Sequence, residues 1–469
     1  MGQPLLFMSQ KITEQTFYKY LKCPTWLTRE LQAGVDIREP LIRKLQNEGL
    51  LGITELELIK DKKVDTVDLD DIDEAAQRTA ELMREGAQTI YKGALIYQNW
   101  VGSPDILERV EGKSNLGNWY YIACDIKRSK YLKDEYKFQG AFYAEILERL
   151  QGIRPVQGYV MRSDGSIEGY LIDEIYKDFR LALDDIEEIL NGKKPVHFLT
   201  SNCKQSPWFS ECELETRECD DLSLINKVWR SEVDVIRAAG INSVSELANA
   251  SSHQLGIVSG ITKDRLNFLQ LQATALKDNR VLKLAPVNFP NDPGPSLVID
   301  IESDPLRDVD YMIGVLLVEG ESVEYIDFTA RDPANEKRMW EEFLHFMQKY
   351  PNAYIYHYGW YEIDVFRKLV AKYGAPDSTV HQFETKMIDV LTTFRESVIF
   401  PMPFYSLKDI AKHLGFKWRH KDASGLNSVL WYHDWIEKGD QNALKDIIEY
   451  NEDDVRATWF LVEWARKSD

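Results

Sequence analysis

Asp300-Ile301-Glu302 closes an apolar run, Leu297-Val298-Ile299. Strand geometry alternates side chains, so both carboxylates share one face. On a buried strand two such acids are costly without a cation; on an edge strand they would simply be solvated. A second strand-like run, Tyr354-Ile355-Tyr356-His357-Tyr358-Gly359, leads into Trp360-Tyr361-Glu362-Ile363-Asp364. A strand end passing into a helix suits a third acid. Glu362 is the first choice and Asp364 its rival; either could instead answer the helix dipole. Further on, Tyr450 and Asp454 are four apart and share a helix face. Carboxylates that converge in this way can hold two hard divalent ions, Mg²⁺ or Mn²⁺. One activates water and the other stabilises the leaving oxygen in phosphodiester hydrolysis. A tyrosine hydroxyl beside them could orient the attacking water.

Between these acids lie Asp389-Val390-Leu391 and Tyr405-Ser406-Leu407. The order and spacing of the whole set resembles the DEDD exonuclease family, tyrosine subtype. It looks closest to the YprB-type RNase H-like branch, where Glu replaces the usual Asp of the second motif. The resemblance covers about residues 295–467. It implies a 3′–5′ exonuclease with Asp300, Glu302, Glu362 and Asp454 as metal ligands and Tyr450 positioning water.

A second set lies earlier. Asp105 opens a strand-like run in Gly102-Ser103-Pro104-Asp105-Ile106-Leu107, and Ala123-Cys124-Asp125-Ile126-Lys127 puts Asp125 and Lys127 on one strand face. Two acids for a metal and a lysine for developing phosphate charge are equipment for hydrolysis. Gln139 and Tyr143 follow, four apart on a helix. Together these resemble the PD-(D/E)XK fold of RecB-type nucleases. That likeness implies Asp105 and Asp125 as metal ligands, Lys127 as catalytic, and Gln139 and Tyr143 as DNA contacts. The family carries an acidic element on an early helix, for which Asn47-Glu48 is the nearest candidate, making Glu48 a further ligand.

Some RecB-type nucleases pin their ends with an iron–sulfur cluster. Here Cys23 comes early and Cys203, Cys212 and Cys219 late, with Ser206 where one more late cysteine belongs. Serine is a poor cluster ligand. The readings are a 4Fe-4S cluster completed by Cys219 or Ser206, a Zn²⁺ site, or free thiols. Cys124 alternates away from the acidic face and reads as core.

Between the two sets, Gly240-Ile241 and Gly260-Ile261 interrupt helical patterning. The pattern resembles a helix-hairpin-helix, in which backbone N–H groups face a phosphate. Gly260 and Lys263 are its candidate contacts, with Arg265 nearby. A plain helical bundle fits the same pattern.

The elements that must position these residues give an α/β multidomain chain. Residues 1–220 read as a RecB-like nuclease domain with a cysteine-containing loop, 221–285 as the helical module, 286–295 as a proline-rich linker, and 296–469 as an RNase H-like domain. Helix is expected over 11–50, 72–92 and 134–152, then 335–350 and onward to the end. Strands are expected near 92–97, 106–110, 119–127, 157–161, 167–172, 296–301, 311–318, 322–328 and 353–358. The 469 residues exceed one ordinary core, and 44% are hydrophobic, so disorder is not indicated. A net charge of −19 argues against a passive DNA-coating protein but is compatible with a nuclease that clusters carboxylates. There is no apolar run long enough to span a membrane and no secretory leader, so a cytoplasmic location is expected by default. No Gly-x4-Gly-Lys-Ser/Thr loop occurs, so any helicase would be a separate partner. The reading is a metal-dependent nuclease acting on nucleic acid, DNA favoured over RNA. The alternatives are a catalytically degraded DNA-binding scaffold and an Fe–S or Zn module acting with a helicase.

Overall fold

The computed structural model describes residues 11–33, 59–60, 63–127, 132–162, 165–290, 294–305, 307–420 and 425–467. The chain forms two compact units, Met1–Glu213 and Leu214–Asp469.

In the first unit, strands Val64–Thr66, Thr89–Tyr91, Ile106–Ser114, Gly117–Lys127, Gln157–Arg162 and Ile167–Leu171 lie side by side in chain order. The hairpin Ile106–Ser114/Gly117–Lys127 is antiparallel, and Gly117–Lys127 then pairs in parallel with Gln157–Arg162. A parallel pair needs a crossover, which the helix Asp134–Gln151 supplies. Its Ala141, Phe142, Ala144, Ile146 and Leu147 are buried against Phe17 and Phe179. The expected helix over 11–50 is, within the described residues, two helices, Glu14–Lys22 and Pro24–Ala33, parted at Cys23. Pro24 explains the break, because it disfavours helix at the residue before it. Glu48 lies outside the described residues. The expected strand near 92–97 begins only at Leu95, because Lys92 takes φ 58 and turns the chain after Tyr91.

In the second unit, helices Arg230–Ala238, Val244–Ala248, Ser252–Ile257 and Lys263–Asp278 precede a five-stranded sheet. Its order is Ser322–Thr329, Val309–Glu319, Ser296–Asp304, Tyr354–His357, Met387–Asp389. The first three strands are antiparallel and the last two run parallel to the central one. Leu297, Ile299 and Ile301 pack on one face with Trp340 and Phe343 of the helix Glu336–Met347. Val298 faces the other way, with Val455, Leu461 and Val462 of the long helix Gln441–Lys467. Met387–Asp389 and the pair Leu282–Lys283/Val398–Ile399 were not anticipated. Two or three residues carry too little alternation to register as strand.

The described start of the proline-rich segment, residues 286–290, packs against the second unit's core. Val287 and Phe289 are buried, and Phe289 meets Tyr356 and Phe394 edge-on at 5.9 Å each. Composition suggested a spacer, but two apolar side chains among the prolines have a core to enter. The helical module is tied to the same unit: Asn226 Nδ2 donates to the Pro403 carbonyl at 2.7 Å.

Candidate metal centre

Asp300 stands opposite Gly314 and Glu302 opposite Met312 on the neighbouring strand. The register shifts immediately after Glu302, ending the alternation once both acids have been placed on one face. The long helix Gln441–Lys467 crosses that face and brings Tyr450, Asn451 and Asp454 to it, all buried. Carboxylate oxygens of Asp300, Glu302 and Asp454 lie within 4.8 Å of one another.

Neutral donors hold this trio. Asn451 Nδ2 donates to Asp300 Oδ2 at 2.8 Å, and the Tyr325 hydroxyl donates to Asn451 Oδ1 at 2.9 Å, fixing the amide's orientation. The Trp418 indole donates to Asp454 Oδ1 at 2.6 Å. Ser428 and Asn451 act on Glu302 to favour its charged form, and the Tyr450 hydroxyl does the same for Asp454. Above the tyrosine, Lys408 Nζ is 4.5 Å from its ring centroid.

Glu362 lies in the first turn of the helix Tyr361–Tyr373, 3% exposed. Its charge acts on Asp300. Its Oε2 is buried and accepts no hydrogen bond. The nearest base, His357, has Nδ1 at 3.7 Å but donates that proton to the Gly359 carbonyl at 2.7 Å. The rival Asp364 is exposed and faces Arg367. Asp389 is occupied with architecture: its Oδ1 accepts from Gly359 N and Leu391 N at 2.9 Å each.

Burial dominates the electrostatics, and the crowded acids reinforce it. Burial together with Glu302, Asp454 and Glu362 holds Asp300 well above the usual carboxylate range. Burial raises Glu302 to about 8 and Asp454 to about 6. It also raises Glu362, against the lowering influence of His357. Carboxylates held this way favour either a proton or a cation. A buried acceptor with no donor, next to three converging carboxylates, fits hard divalent ions. Asp300, Glu302, Asp454 and Glu362 would hold them, and the ions would supply water activation and leaving-group stabilisation. The protein's own contribution is to fix Asp300 with Asn451 and Asp454 with Trp418, and to bring the Tyr450 hydroxyl close to Asp454.

The first unit brings Asp105, Asp125 and Lys127 together, but differently. Lys127 Nζ pairs with Asp125 Oδ2 at 2.9 Å, and Lys92 Nζ pairs with Asp105 Oδ1 at 2.7 Å. Asp105 Oδ2 accepts from Ile126 N at 2.8 Å. Each acid already has a cation, and among the described residues no third ligand atom joins them within 4.8 Å. Glu14, which the sequence reading passed over, lies close enough to feel both Asp125 and Lys127. Its Oε2 is buried without a partner, and burial raises it to about 7. Its place at the start of a helix looked like ordinary dipole complementarity. Gln139 and Tyr143, expected at the nucleic acid, are 4% and 2% exposed. Tyr143 belongs to the apolar core, so neither offers surface to a strand in this conformation.

Cys23 acts on Cys203 and holds its thiol down to about 6. Cys212 is buried and Cys219 exposed. Ser206 Oγ accepts from Trp208 N at 3.2 Å, closing its own turn. Among the described residues no three ligand atoms including a cysteine lie within 4.8 Å of one another. That spacing offers no compact Zn²⁺ site.

In the helical module Gly240 and Gly260 take φ 84 and 89, left-handed values that suit glycine. Gly260 lies between helices Ser252–Ile257 and Lys263–Asp278, with Lys263 exposed at the start of the second. Arg265 is instead committed to Glu232 and the Lys227 carbonyl.

Residues 297–466 match the family model of the RNase H superfamily. The matched span contains Asp300, Glu302, Glu362, Tyr450 and Asp454. No curated protein gives a significant match to the chain. The match and the five-stranded mixed sheet support an RNase H-like domain in the C-terminal region, and such a domain points to a nuclease acting on nucleic acid. Among the described residues no helix is long and apolar enough to cross a membrane.

Proposed function

We propose that the chain is a divalent-metal-dependent nuclease whose C-terminal domain removes nucleotides from a strand end, 3′ to 5′, by two-metal hydrolysis, with DNA as the favoured substrate. One observation carries the reading. Carboxylate oxygens of half-buried Asp300 and of buried Glu302 and Asp454 meet within 4.8 Å, and Glu362, whose charge acts on Asp300, has a buried oxygen with no donor. Held by neutral donors, the four acids when ionised carry a negative charge that two divalent ions would cancel, while Lys408 acts on Asp300, Glu302 and Asp454. Tyr450, whose hydroxyl acts on Asp454, would orient the attacking water.

The first unit supports a second, RecB-like site made of Asp105, Asp125, Lys127 and Glu14. Its acids are closed by lysines, which favours the metal-free state, so the C-terminal site carries the proposed activity. An Fe–S or Zn²⁺ centre has only the Cys23–Cys203 contact in its favour. The helical hairpins, with Gly260 and Lys263, suit a phosphate backbone, and a separate helicase would be a fitting partner.

The test is degradation of end-labelled DNA and RNA with Mg²⁺ or Mn²⁺, comparing wild type with Asp300→Ala and Asp125→Ala. Loss with Asp300→Ala alone supports this reading. Full exonuclease activity in Asp300→Ala sinks the C-terminal assignment.

A further inference from the structure

Arg395 sits half-buried in the last turn of the helix Val390–Ser397. A cation there ordinarily answers backbone carbonyls, yet its Nε is buried and has no acceptor. Its charge acts on Tyr358 and Tyr405, which are themselves joined, the Tyr358 hydroxyl donating to the Tyr405 carbonyl at 2.9 Å. Just before Tyr405, the Pro403 carbonyl accepts from Asn226 Nδ2 at 2.7 Å. That bond brings the start of the helical module, and with it Lys227, to the same place. Lys227 is exposed and takes φ 54, a left-handed value uncommon for a lysine. Its backbone is pinned there. Arg265 Nη2 donates to its carbonyl at 2.7 Å, and Gln272 Nε2 donates to the Asn226 carbonyl at 3.2 Å. Burial, and then Arg395, hold the Lys227 ammonium below its ordinary value; among the described residues Arg395 supplies the one charge that acts on it. Two cations are thus neighbours, and no described carboxylate pairs with either, in a chain of net charge −19.

A buried N–H without an acceptor is costly, and a like charge beside it adds to the cost. One anion relieves both. We infer that Arg395 and Lys227 bind a phosphate of the nucleic-acid backbone, at a site that uses none of the four acids. The inference rests on the nuclease reading and adds a second hold on its substrate. A guanidinium presents N–H groups in a fork that matches two phosphate oxygens, and an ammonium adds a point charge beside it. No base edge is read, so the hold is indifferent to sequence. The pair is linked to the carboxylate centre through the helix that carries Arg395. Its N-cap, Asp389, accepts from Gly359 N at 2.9 Å, in the turn that precedes Glu362.

Fluorescence anisotropy in chelator measures binding of a labelled single strand without cleavage, over a range of salt. The proteins are wild type, Arg395→Gln, Lys227→Gln and the double variant. A second arm compares melting temperatures in sodium phosphate and in sodium chloride of equal ionic strength. A third follows Mn²⁺-dependent cleavage by wild type and Asp300→Ala. Arg395→Gln should raise Kd by about tenfold, whatever the strand's sequence. The slope of log Kd against log salt should fall by about 0.7, the value for one phosphate on a single strand. Because both cations hold one phosphate, the double variant should lose less than the two single losses multiplied. Phosphate should raise the wild-type melting temperature above its value in chloride but leave that of Arg395→Gln unmoved. Strand affinity and salt slope unchanged in both single variants would overturn the site. Stabilisation by inorganic phosphate with unchanged strand binding would assign the pair to a free anion and overturn the backbone contact. Cleavage absent from wild type, or persisting in Asp300→Ala, would remove the nuclease reading, an outcome read separately from the binding measured in chelator.

Discussion

Asn451 reaches Asp300 across a gap that only a glycine leaves open. Its Nδ2 donates to Asp300 Oδ2 at 2.8 Å, while a Cβ at Gly314, directly across the ladder from Asp300, would collide with Asn451 Oδ1. The strand-pair register and the helix-to-sheet distance therefore meet at one missing methyl group. Gly314→Ala should push Asn451 away from Asp300. The expected outcome is a stability loss of about 1–3 kcal/mol from overpacking and a larger loss of activity. Adding Asn451→Ala should restore the melting temperature but not the activity. Failure of the second change to recover stability would show that the collision is not where the loss arises.

Tyr450→Phe keeps the ring beside Lys408 and removes only the hydroxyl that acts on Asp454. If that hydroxyl orients water, kcat should fall by about a hundredfold with Mn²⁺ affinity unchanged by calorimetry. An unaltered kcat would dismiss the role.

The raised acids predict how pH and metal act together. Glu302 at about 8 and Asp454 at about 6 bind protons more tightly folded than unfolded. Their contribution to stability is therefore complete below the unfolded carboxylate range, about pH 4, and is lost as pH rises through about 6 and then about 8. In chelator the melting temperature should fall across that window. Mn²⁺ should restore it, by more at the alkaline end. Glu302→Gln should flatten the metal-free slope, and a slope unchanged in that variant would refute the assignment.

Glu14 makes a parallel prediction in the other unit. With a folded value of about 7, its favourable contribution disappears as pH rises through neutrality. Glu14→Gln should raise the melting temperature at about pH 8.5 and leave it unchanged near pH 5. Destabilisation at both values would mean that the carboxylate has a partner in solution.

Lys408 offers a charge test. Its ammonium acts on Asp300, Glu302 and Asp454 and would also attract a phosphate held at those acids. Lys408→Met should raise KM by about tenfold and reduce its salt dependence by about one phosphate contact, with metal affinity retained. Weakened metal binding would instead make Lys408 part of the acids' own scaffold.

Much of the candidate site was legible because its signals are local. Asp300-x-Glu302 inside an apolar run and Tyr450 four residues before Asp454 each declare a shared face within one element. The strands and the long helix around them follow from alternation and helical spacing in the same way. Local pattern could not rank Glu362 over Asp364. The two are two residues apart on a helix, and only packing buries one while leaving the other beside Arg367 in solvent. Nor could it find Gly314, Trp418 or Lys408, whose importance lies in contacts made across the fold. The burial of Gln139 and Tyr143 escaped it for the same reason, since a helix face says nothing about whether a core covers it.

The sequence by itself determined which elements form and which carboxylates each one offers, because side-chain periodicity is a property of a single strand or helix. Only the tertiary structure decided which acids meet and which are already answered by a cation. Lysines neutralise Asp105 and Asp125, while Asp300, Glu302 and Asp454 are held by neutral donors. The energy of a buried charge is set by its surroundings through space, and those surroundings come from residues far away along the chain.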